Sequence, residues 1–164
     1  MSYSVVRLDN MAGTTNGTKL VSLKFYNGTA YAAIENGSIV TLDSLIDREV
    51  WKAVAPTADQ TLGKLVLVAT PELWYDTYNN KNLDDFTNAA GVAARGYILC
   101  SGDEFGVTAS AFAGGTAPTG TNKYITIAAA VKGLTAGAVS TNARAEYITT
   151  ESVDGFTYYV LRVL

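Results

Sequence analysis

Short alternations of apolar and polar residues dominate this chain and predict a mainly β fold. In residues 19–26, Val21, Leu23 and Phe25 alternate with more polar positions, which predicts a strand with one buried and one solvent-facing side. Comparable apolar runs between turn-forming residues predict further strands. These lie at residues 2–8, 30–35, 38–42, 50–54, 64–70, 96–100, 104–110, 123–129, 145–150 and 156–164. We expect them to form a β-barrel or a sandwich-like fold.

Asn-Gly pairs punctuate the first third of the chain. They occur at residues 16–17, 27–28 and 36–37. Asn-Gly is a strong hairpin signal because both residues tolerate positive φ in a type I′ turn. The pattern predicts a β-meander over residues 1–46, a candidate docking module. The more polar residues 43–49 mark the boundary with a compact β-rich domain at 47–164.

The clearest helix signal lies at residues 82–95. Small and apolar residues recur there at steps of three and four, at Leu83, Phe86, Ala89, Ala90, Ala93 and Ala94. Asn82 can accept the first free backbone N–H groups, and Gly96 can adopt the left-handed conformation that ends a helix. We expect one short α-helix at about 82–95, packed onto the sheet through its Ala-rich face. An α+β fold is the alternative.

Two other apolar stretches predict strands that are integral to the core. The run Leu65 to Ala69 is continuously apolar, which is typical of a central strand covered on both faces. The C-terminal residues 156–164 are apolar on both faces of a strand, so the C-terminus is expected to be part of the sheet.

Composition and charge argue against several classes of protein. The 164 residues suffice for one well-buried core. A formal charge of −3, a pI near 4.8 and the lack of a basic run argue against nucleic-acid binding, which depends on cations that neutralise phosphates. Because only 16% of the residues are charged, we expect part of the surface to be covered in an assembly.

The N-terminus and the longest apolar runs argue against export and membrane insertion. No cationic start precedes an apolar segment, so we expect no signal peptide. The apolar run 125–139 is interrupted and shorter than the roughly 20 residues that span a bilayer.

Few residues could carry chemistry. The chain has no histidine, which excludes His-based catalytic pairs and metal sites. Cys100 lies in a predicted strand and is expected to be a core residue. The acids form two weak clusters, with Asp84 and Asp85 expected in a helix first turn and Asp103 beside Glu104 in a turn. We therefore expect no enzyme, cofactor or metal site; a small hydrolase using Asp103 and Glu104 is the weakest alternative.

Aromatic residues are the best candidates for an interaction surface. Trp74, Tyr75 and Tyr78 lie beside an Asn-rich segment, and Trp and Tyr are enriched at binding hot spots. With Phe25 and Tyr31 they form our predicted interface set. The simpler interpretation is a short helical turn that tucks Trp74 over the edge of the core.

The last hundred residues resemble a known family. The segments KLVLVATPELWYD, NLDDFTNAAGVAARGYILCSGDEFGVTASA, YITI and FTYYVLRVL follow one another in this order from Lys64 onward. This order is similar to that of small structural proteins encoded beside the major capsid protein in tailed phages of Gram-positive bacteria. Residues 1–46 carry only a generic β pattern.

The resemblance implies a component of the virion made in the host cytoplasm. It implies a non-enzymatic decoration (cement) protein or head fibre base that binds the outer surface of the capsid, with the major capsid protein as its partner. It also implies a homo-oligomer, of which a trimer is a common form among decoration proteins. A receptor- or glycan-binding module of a tail or fibre is the alternative, motivated by the aromatic segment.

Overall fold

Two β-structures make up the computed structural model, which describes residues 2–57, 61–73 and 81–164. Within these residues the strands are Val6–Asn10 (β1), Leu20–Phe25 (β2), Ile39–Asp47 (β3), Val50–Val54 (β4), Leu65–Val68 (β5), Ala94–Ile98 (β6), Glu104–Val107 (β7), Tyr124–Ile127 (β8), Leu134–Gly137 (β9), Ala145–Val153 (β10) and Phe156–Val163 (β11). One short α-helix, Ala12–Thr15 (α1), follows β1. The predicted mainly β fold is confirmed.

Five strands close a barrel in the order β2-β4-β3-β5-β6. β2 runs parallel to β4 and antiparallel to β6, and the remaining pairs are antiparallel. Small and branched side chains fill the barrel core; they include Leu23, Val40, Ala53, Val66, Val68 and Ala94. Gly96 in β6 lies where a side chain has no room, since a Cβ there would be 2.5 Å from Cγ1 of Val66.

The other six strands form an antiparallel sheet in the order β1-β7-β11-β10-β8-β9. Phe105 on β7 and Leu161 on β11 are buried in a second core, which also contains Ile39 and Tyr97 from the barrel. This second core therefore joins the sheet to the barrel wall. β11 lies in the interior of the sheet, which confirms that the C-terminal residues form an integral strand.

β5 contributes to both cores. Val66 and Val68 belong to the barrel core, whereas Leu65 and Leu67 belong to the core shared with the sheet. All four side chains are buried. The prediction of a strand covered on both faces is confirmed, because alternate side chains of one strand point to opposite sides.

The α-helix predicted at residues 82–95 does not form, and that prediction is wrong. A single 3-10 turn occupies Leu83–Asp85, and β6 already begins at Ala94. A capping box does form at the start of this turn, where the N–H of Asn82 donates to the carboxylate of Asp85 at 3.0 Å.

Long-range pairing ends this turn before a helix can develop. Asn88 and Ile34 exchange two backbone hydrogen bonds of 2.9 and 3.0 Å. Gly91 then has a φ of +75°, which an α-helix does not allow. Pairing with distant β-structure thus outweighs the local helical spacing.

The predicted meander over residues 1–46 is also wrong. β1 pairs with β7, whereas β2 pairs with β4 and β6. The candidate boundary at residue 46 falls inside β3, which pairs with β4 and β5. The strand predicted at 30–35 is reduced to isolated bridges at Tyr31 and Ile34.

The type I′ conformation occurs at a different turn from those predicted. Asp154 and Gly155, between β10 and β11, have φ values of +51° and +82°. Among the Asn-Gly pairs, Gly28 and Gly37 have positive φ, but none of the asparagines does. These asparagines use their side chains as hydrogen-bond partners instead, as Asn27 does by accepting from the N–H of Thr29 at 3.0 Å.

Candidate functional site

The longest strands of the two β-structures each extend beyond their neighbours. β3 has nine residues, of which only residues 39–41 pair with β5. Within the described chain, residues 42–47 pair with β4 alone. We call residues 42–47 together with β4 the β3 ribbon. Its outer edge offers unpaired backbone groups, which is the usual requirement for adding a strand from another chain.

The β3 ribbon exposes apolar side chains at its end. Leu45 is 52% exposed and Ile46 is 43% exposed. The pairing of β3 with β4 shifts register between Leu45 and Asp47, so Ile46 lies at a bulge. Bulges re-aim side chains at sheet edges. The ribbon therefore presents two branched side chains and a free edge at one place.

Two tyrosines lie beside the β3 ribbon, next to a charged pair that belongs to it. The rings of Tyr26 and Tyr31 meet edge to face with centroids 5.7 Å apart. Nζ of Lys52 lies 4.6 Å from the centroid of Tyr26 and 3.0 Å from the Asp43 carboxylate. Hydrogen bonding to Lys52 lowers the pKa of the Asp43 carboxyl, and the same bond raises the pKa of Lys52. The charged pair thus fixes a cation against the half-buried ring of Tyr26, which contacts the exposed ring of Tyr31.

A groove continues from this aromatic pair. Two adjoining hollows, of about 430 and 320 Å³, share Phe25 and Val131 as lining residues. The larger is lined mainly by apolar atoms and includes Tyr26 and Val54. The smaller also contains Glu35 and Lys132, which form an ion pair at 2.8 Å.

A second ribbon projects from the six-stranded sheet. β10 also has nine residues, of which Ala145 and Glu146 pair with β8. The outer residues 148–153 are all exposed and, in the described structure, pair only with β11. We call these residues and the facing residues 156–160 of β11 the β10 ribbon.

The sequence-predicted interface residues are only partly placed. Trp74, Tyr75 and Tyr78 lie outside the described residues. Phe25 is 7% exposed and forms the wall of the groove, so it offers little area to a partner. Tyr31 is 40% exposed and lies in the aromatic pair.

Sequence reasoning missed the β3 ribbon. The more polar residues 43–49, whose apolar side chains do not alternate regularly, were predicted to mark a domain boundary. The bulges in β3 explain this loss of alternation, because each extra residue reverses the side on which the next side chains lie. The exposed pair Leu45-Ile46 within a polar segment was the available signal.

The acids take structural roles. Asp103 is 3% exposed, and its carboxylate accepts the N–H groups of Ala12 and Cys100, each at 2.8 Å. Its expected place in a turn is confirmed. Glu104 faces Arg162 at 3.8 Å, and Asp84 accepts the hydroxyl of Ser2 at 2.7 Å.

The described residues contain neither a candidate metal cluster nor a helix that could cross a membrane. They contain no cluster of three or more His, Cys, Asp or Glu side chains suited to a metal ion. None of their helices has the length and apolar character needed to cross a membrane.

Comparison with protein-family models, with curated proteins and with solved structures found no match to this chain.

Proposed function

We propose that the protein is a non-enzymatic structural component of a phage head that docks on the outer surface of the capsid through the β3 ribbon. The observation that carries the docking surface is the coincidence of a free strand edge with the exposed side chains of Leu45 and Ile46. The phage assignment rests on the order of sequence segments from Lys64 onward. The partner is the major capsid protein.

The chemistry of the β3 ribbon suits a protein partner. A strand edge provides main-chain hydrogen bonds, while apolar side chains beside it provide buried area. The nearby Asp43–Lys52 ion pair, at 3.0 Å, is exposed and lies at the rim of this surface. Rim charges contribute mainly to orientation and to the rate of association.

Co-sedimentation with capsids that lack the protein tests this proposal. The wild-type protein is expected to sediment with bare heads at a saturable stoichiometry. Leu45→Asp should weaken this binding at least about 10-fold, since it places a charge in the buried centre of the contact. Val139→Asp is the matched control, because Val139 is 66% exposed and lies outside the ribbon.

The outcomes distinguish a wrong partner from a wrong docking surface. Absence of wild-type protein from sedimented heads would contradict the capsid proposal as a whole. Binding of Leu45→Asp equal to that of Val139→Asp would exclude the β3 ribbon as the docking surface. Circular dichroism of both variants establishes that they are folded.

The aromatic pair of Tyr26 and the exposed Tyr31 favours one alternative, a receptor- or glycan-binding module of a tail or fibre. Tyr31 presents an accessible ring, and Lys52 and Asp43 provide polar groups beside Tyr26. A glycan array probed with wild-type protein and with Tyr31→Ala tests this alternative. Wild-type binding that is lost in Tyr31→Ala supports it, and a silent array removes it.

A further inference from the structure

The three Asn-Gly pairs share a chemical reactivity but lie in different surroundings. They occupy residues 16–17, 27–28 and 36–37. In such a pair the backbone nitrogen of glycine, which no Cβ shields, can attack Cγ of the preceding asparagine. The attack requires rotation of the peptide unit between the two residues. The hydrogen bonds of that unit therefore determine which asparagine reacts.

The pair Asn36-Gly37 is locked on both sides of its peptide unit. The carbonyl of Asn36 accepts a hydrogen bond from the hydroxyl of Ser4, and the N–H of Gly37 donates to the carbonyl of Val68 at 2.8 Å. Nδ2 of Asn36, the nitrogen that would leave, donates to the carbonyl of Thr70 at 2.8 Å. Because Asn36 is also 1% exposed, reaction here requires local unfolding.

The pair Asn16-Gly17 is exposed, but its peptide unit is held at one end. The carbonyl of Asn16 accepts from the N–H of Lys19 at 3.0 Å, and the N–H of Asn16 donates to the carbonyl of Ala12 at 2.8 Å. Asn16 thus joins α1 to the 3-10 turn Gly17–Lys19. Rotation of the 16–17 peptide unit would break this turn.

The peptide unit of Asn27-Gly28 is exposed and unrestrained. Within the described residues, neither the carbonyl of Asn27 nor the N–H of Gly28 has a hydrogen-bond partner. Gly28 has a φ of +98°, and a Cβ built on it would meet nothing within 4 Å. This peptide unit can therefore rotate without losing a hydrogen bond or meeting a neighbouring atom.

The side-chain amide of Asn27 is also oriented for attack. Its Oδ1 accepts hydrogen bonds from the N–H groups of Thr29 and Ala30, each at 3.0 Å. Negative charge develops on this oxygen when a nucleophile adds to Cγ, and two backbone N–H groups stabilise such a charge. In the described part of the chain, Nδ2 of Asn27 has no hydrogen bond that would hold it back.

We propose that Asn27 is a site of spontaneous deamidation and reacts faster than Asn16 and Asn36. The nitrogen of Gly28 gives its proton to water and forms a bond with Cγ of Asn27. The Cγ–Nδ2 bond breaks, and Nδ2 takes up a proton from water and leaves as ammonia. The product is a cyclic succinimide.

Water then opens the succinimide in one of two ways. Addition to Cγ breaks the bond from Cγ to the Gly28 nitrogen and gives aspartate. Addition to the main-chain carbonyl carbon of residue 27 breaks the original peptide bond and gives isoaspartate, in which the chain continues through Cγ. Each route consumes one water molecule, leaves one carboxylate and changes no oxidation state.

Both products change the apolar hollow beside this turn. Asn27 and Gly28 line the hollow of about 430 Å³, and none of its described lining residues is charged. Deamidation therefore places the first carboxylate on its wall. Isoaspartate also adds a methylene to the main chain between Tyr26 and Thr29, where the Tyr26 hydroxyl donates to the Thr29 carbonyl at 3.1 Å.

Peptide mapping of the full chain measures the three rates in one molecule. The folded protein is incubated in water enriched in heavy oxygen, and fragmentation spectra assign each labelled carboxylate to its residue. Asn27 should react at least about 10-fold faster than Asn36, with Asn16 between them. In urea the three rates should converge, because every Asn-Gly pair is then unrestrained. A folded protein in which Asn16 or Asn36 reacts as fast as Asn27 overturns the proposal.

Substitution of Thr29 tests the role of the N–H groups. Thr29→Pro removes one of the two donors to Oδ1 and should slow succinimide formation about 10-fold. Thr29→Ala is the matched control, since it keeps the N–H. Circular dichroism establishes that both variants are folded, and their rates in urea correct for the change in sequence. Equal rates in the folded variants, or a faster Thr29→Pro, would exclude the N–H groups as a cause.

This inference goes beyond capsid attachment, and the two can fail separately. Deamidation is measured on the isolated protein, whereas docking is measured with heads and with variants of the β3 ribbon. Leu45→Asp, which should weaken docking, should leave the rate at Asn27 unchanged.

Discussion

The side-chain amide of Asn88 donates a hydrogen bond to the side-chain oxygen of Asn36 at 3.2 Å. Asn36 also exchanges hydrogen bonds with the backbone of Thr70, donating to its carbonyl at 2.8 Å and accepting from its N–H at 3.0 Å. Both asparagines are buried: Asn36 is 1% exposed and Asn88 is 5% exposed. This polar network joins three segments that are distant in sequence, at the end of the barrel.

Removal of the Asn36 side chain should therefore be costly. Asn36→Ala leaves the N–H of Thr70 and the amide of Asn88 short of a buried partner, and the free energy of unfolding should fall by about 2 to 4 kcal/mol. Urea denaturation followed by fluorescence measures this loss. Asn27→Ala is the matched control, since Asn27 also precedes a glycine but is exposed; its loss should be about 1 kcal/mol or less. Equal losses would contradict the importance of the buried network.

Gly96 should not tolerate a side chain. A Cβ at Gly96 would lie 2.5 Å from Val66 and 2.7 Å from Leu23, inside the barrel. Gly96→Ala should lower the free energy of unfolding by about 1 to 3 kcal/mol through overpacking. Gly63→Ala is the control because a Cβ there would meet nothing within 4 Å, and its effect should stay within about 0.5 kcal/mol. Partial recovery in the double variant Gly96→Ala/Val66→Ala would identify the clash as the cause.

Asp103 should matter for stability. Its carboxylate joins the start of α1 to the turn between β6 and β7 by accepting from Ala12 and Cys100. Asp103→Ala leaves two backbone donors without this acceptor, so we expect a loss of about 2 to 3 kcal/mol in thermal or urea unfolding. Asp47→Ala serves as the control, since Asp47 is exposed and, within the described residues, its carboxylate accepts from the adjacent Arg48 N–H at 2.7 Å. A loss equal to that of the control would contradict this role.

Tyr158 should make stability sensitive to alkaline pH. Burial, with a smaller contribution from Glu72, raises the pKa of the Tyr158 phenol above its ordinary value of 10.0, and Arg7 opposes this shift. The folded state then retains a proton that the unfolded state loses, so stability present below pH 10.0 is lost as the pH rises through the folded pKa.

Comparison with Tyr158→Phe isolates this contribution. Unfolding free energies measured from about pH 8 to about pH 11 should decline more steeply for the wild type than for the variant. The other tyrosines are the same in both proteins and cancel in the difference. Parallel pH profiles would exclude a differential proton uptake at Tyr158.

The strands that carry their own periodicity were predictable from the sequence. The predicted strand at 50–54 has the observed bounds of β4, and the apolar run at β5 correctly indicated burial on both faces. In both cases the pattern of apolar side chains directly indicates which faces of the strand are buried. β9 was missed because Leu134–Gly137 lies inside the apolar run 125–139 and has only one large apolar side chain to mark it as a separate strand.

The remainder depends on partners that lie far away in the chain. Residues 82–95 have helical spacing, but Ile34 pairs with Asn88 and β6 pairs with β2 and β5. The candidate surfaces are harder still to predict, because an edge is free only where no neighbouring strand pairs with it, and the local sequence does not record this. Only the topology shows that β3 and β10 extend beyond the strands that pair with them.

The interleaving of the two β-structures has a consequence for synthesis on the ribosome. All five barrel strands are present once Ile98 has been made, so the barrel can close while the rest of the chain is still being translated. The sheet cannot do the same, because β1 joins it only through β7, and β7 is connected to β10 only through β11. β1 can pair with β7 once Val107 has been made, but this pair joins β10, β8 and β9 only after β11 has been synthesised.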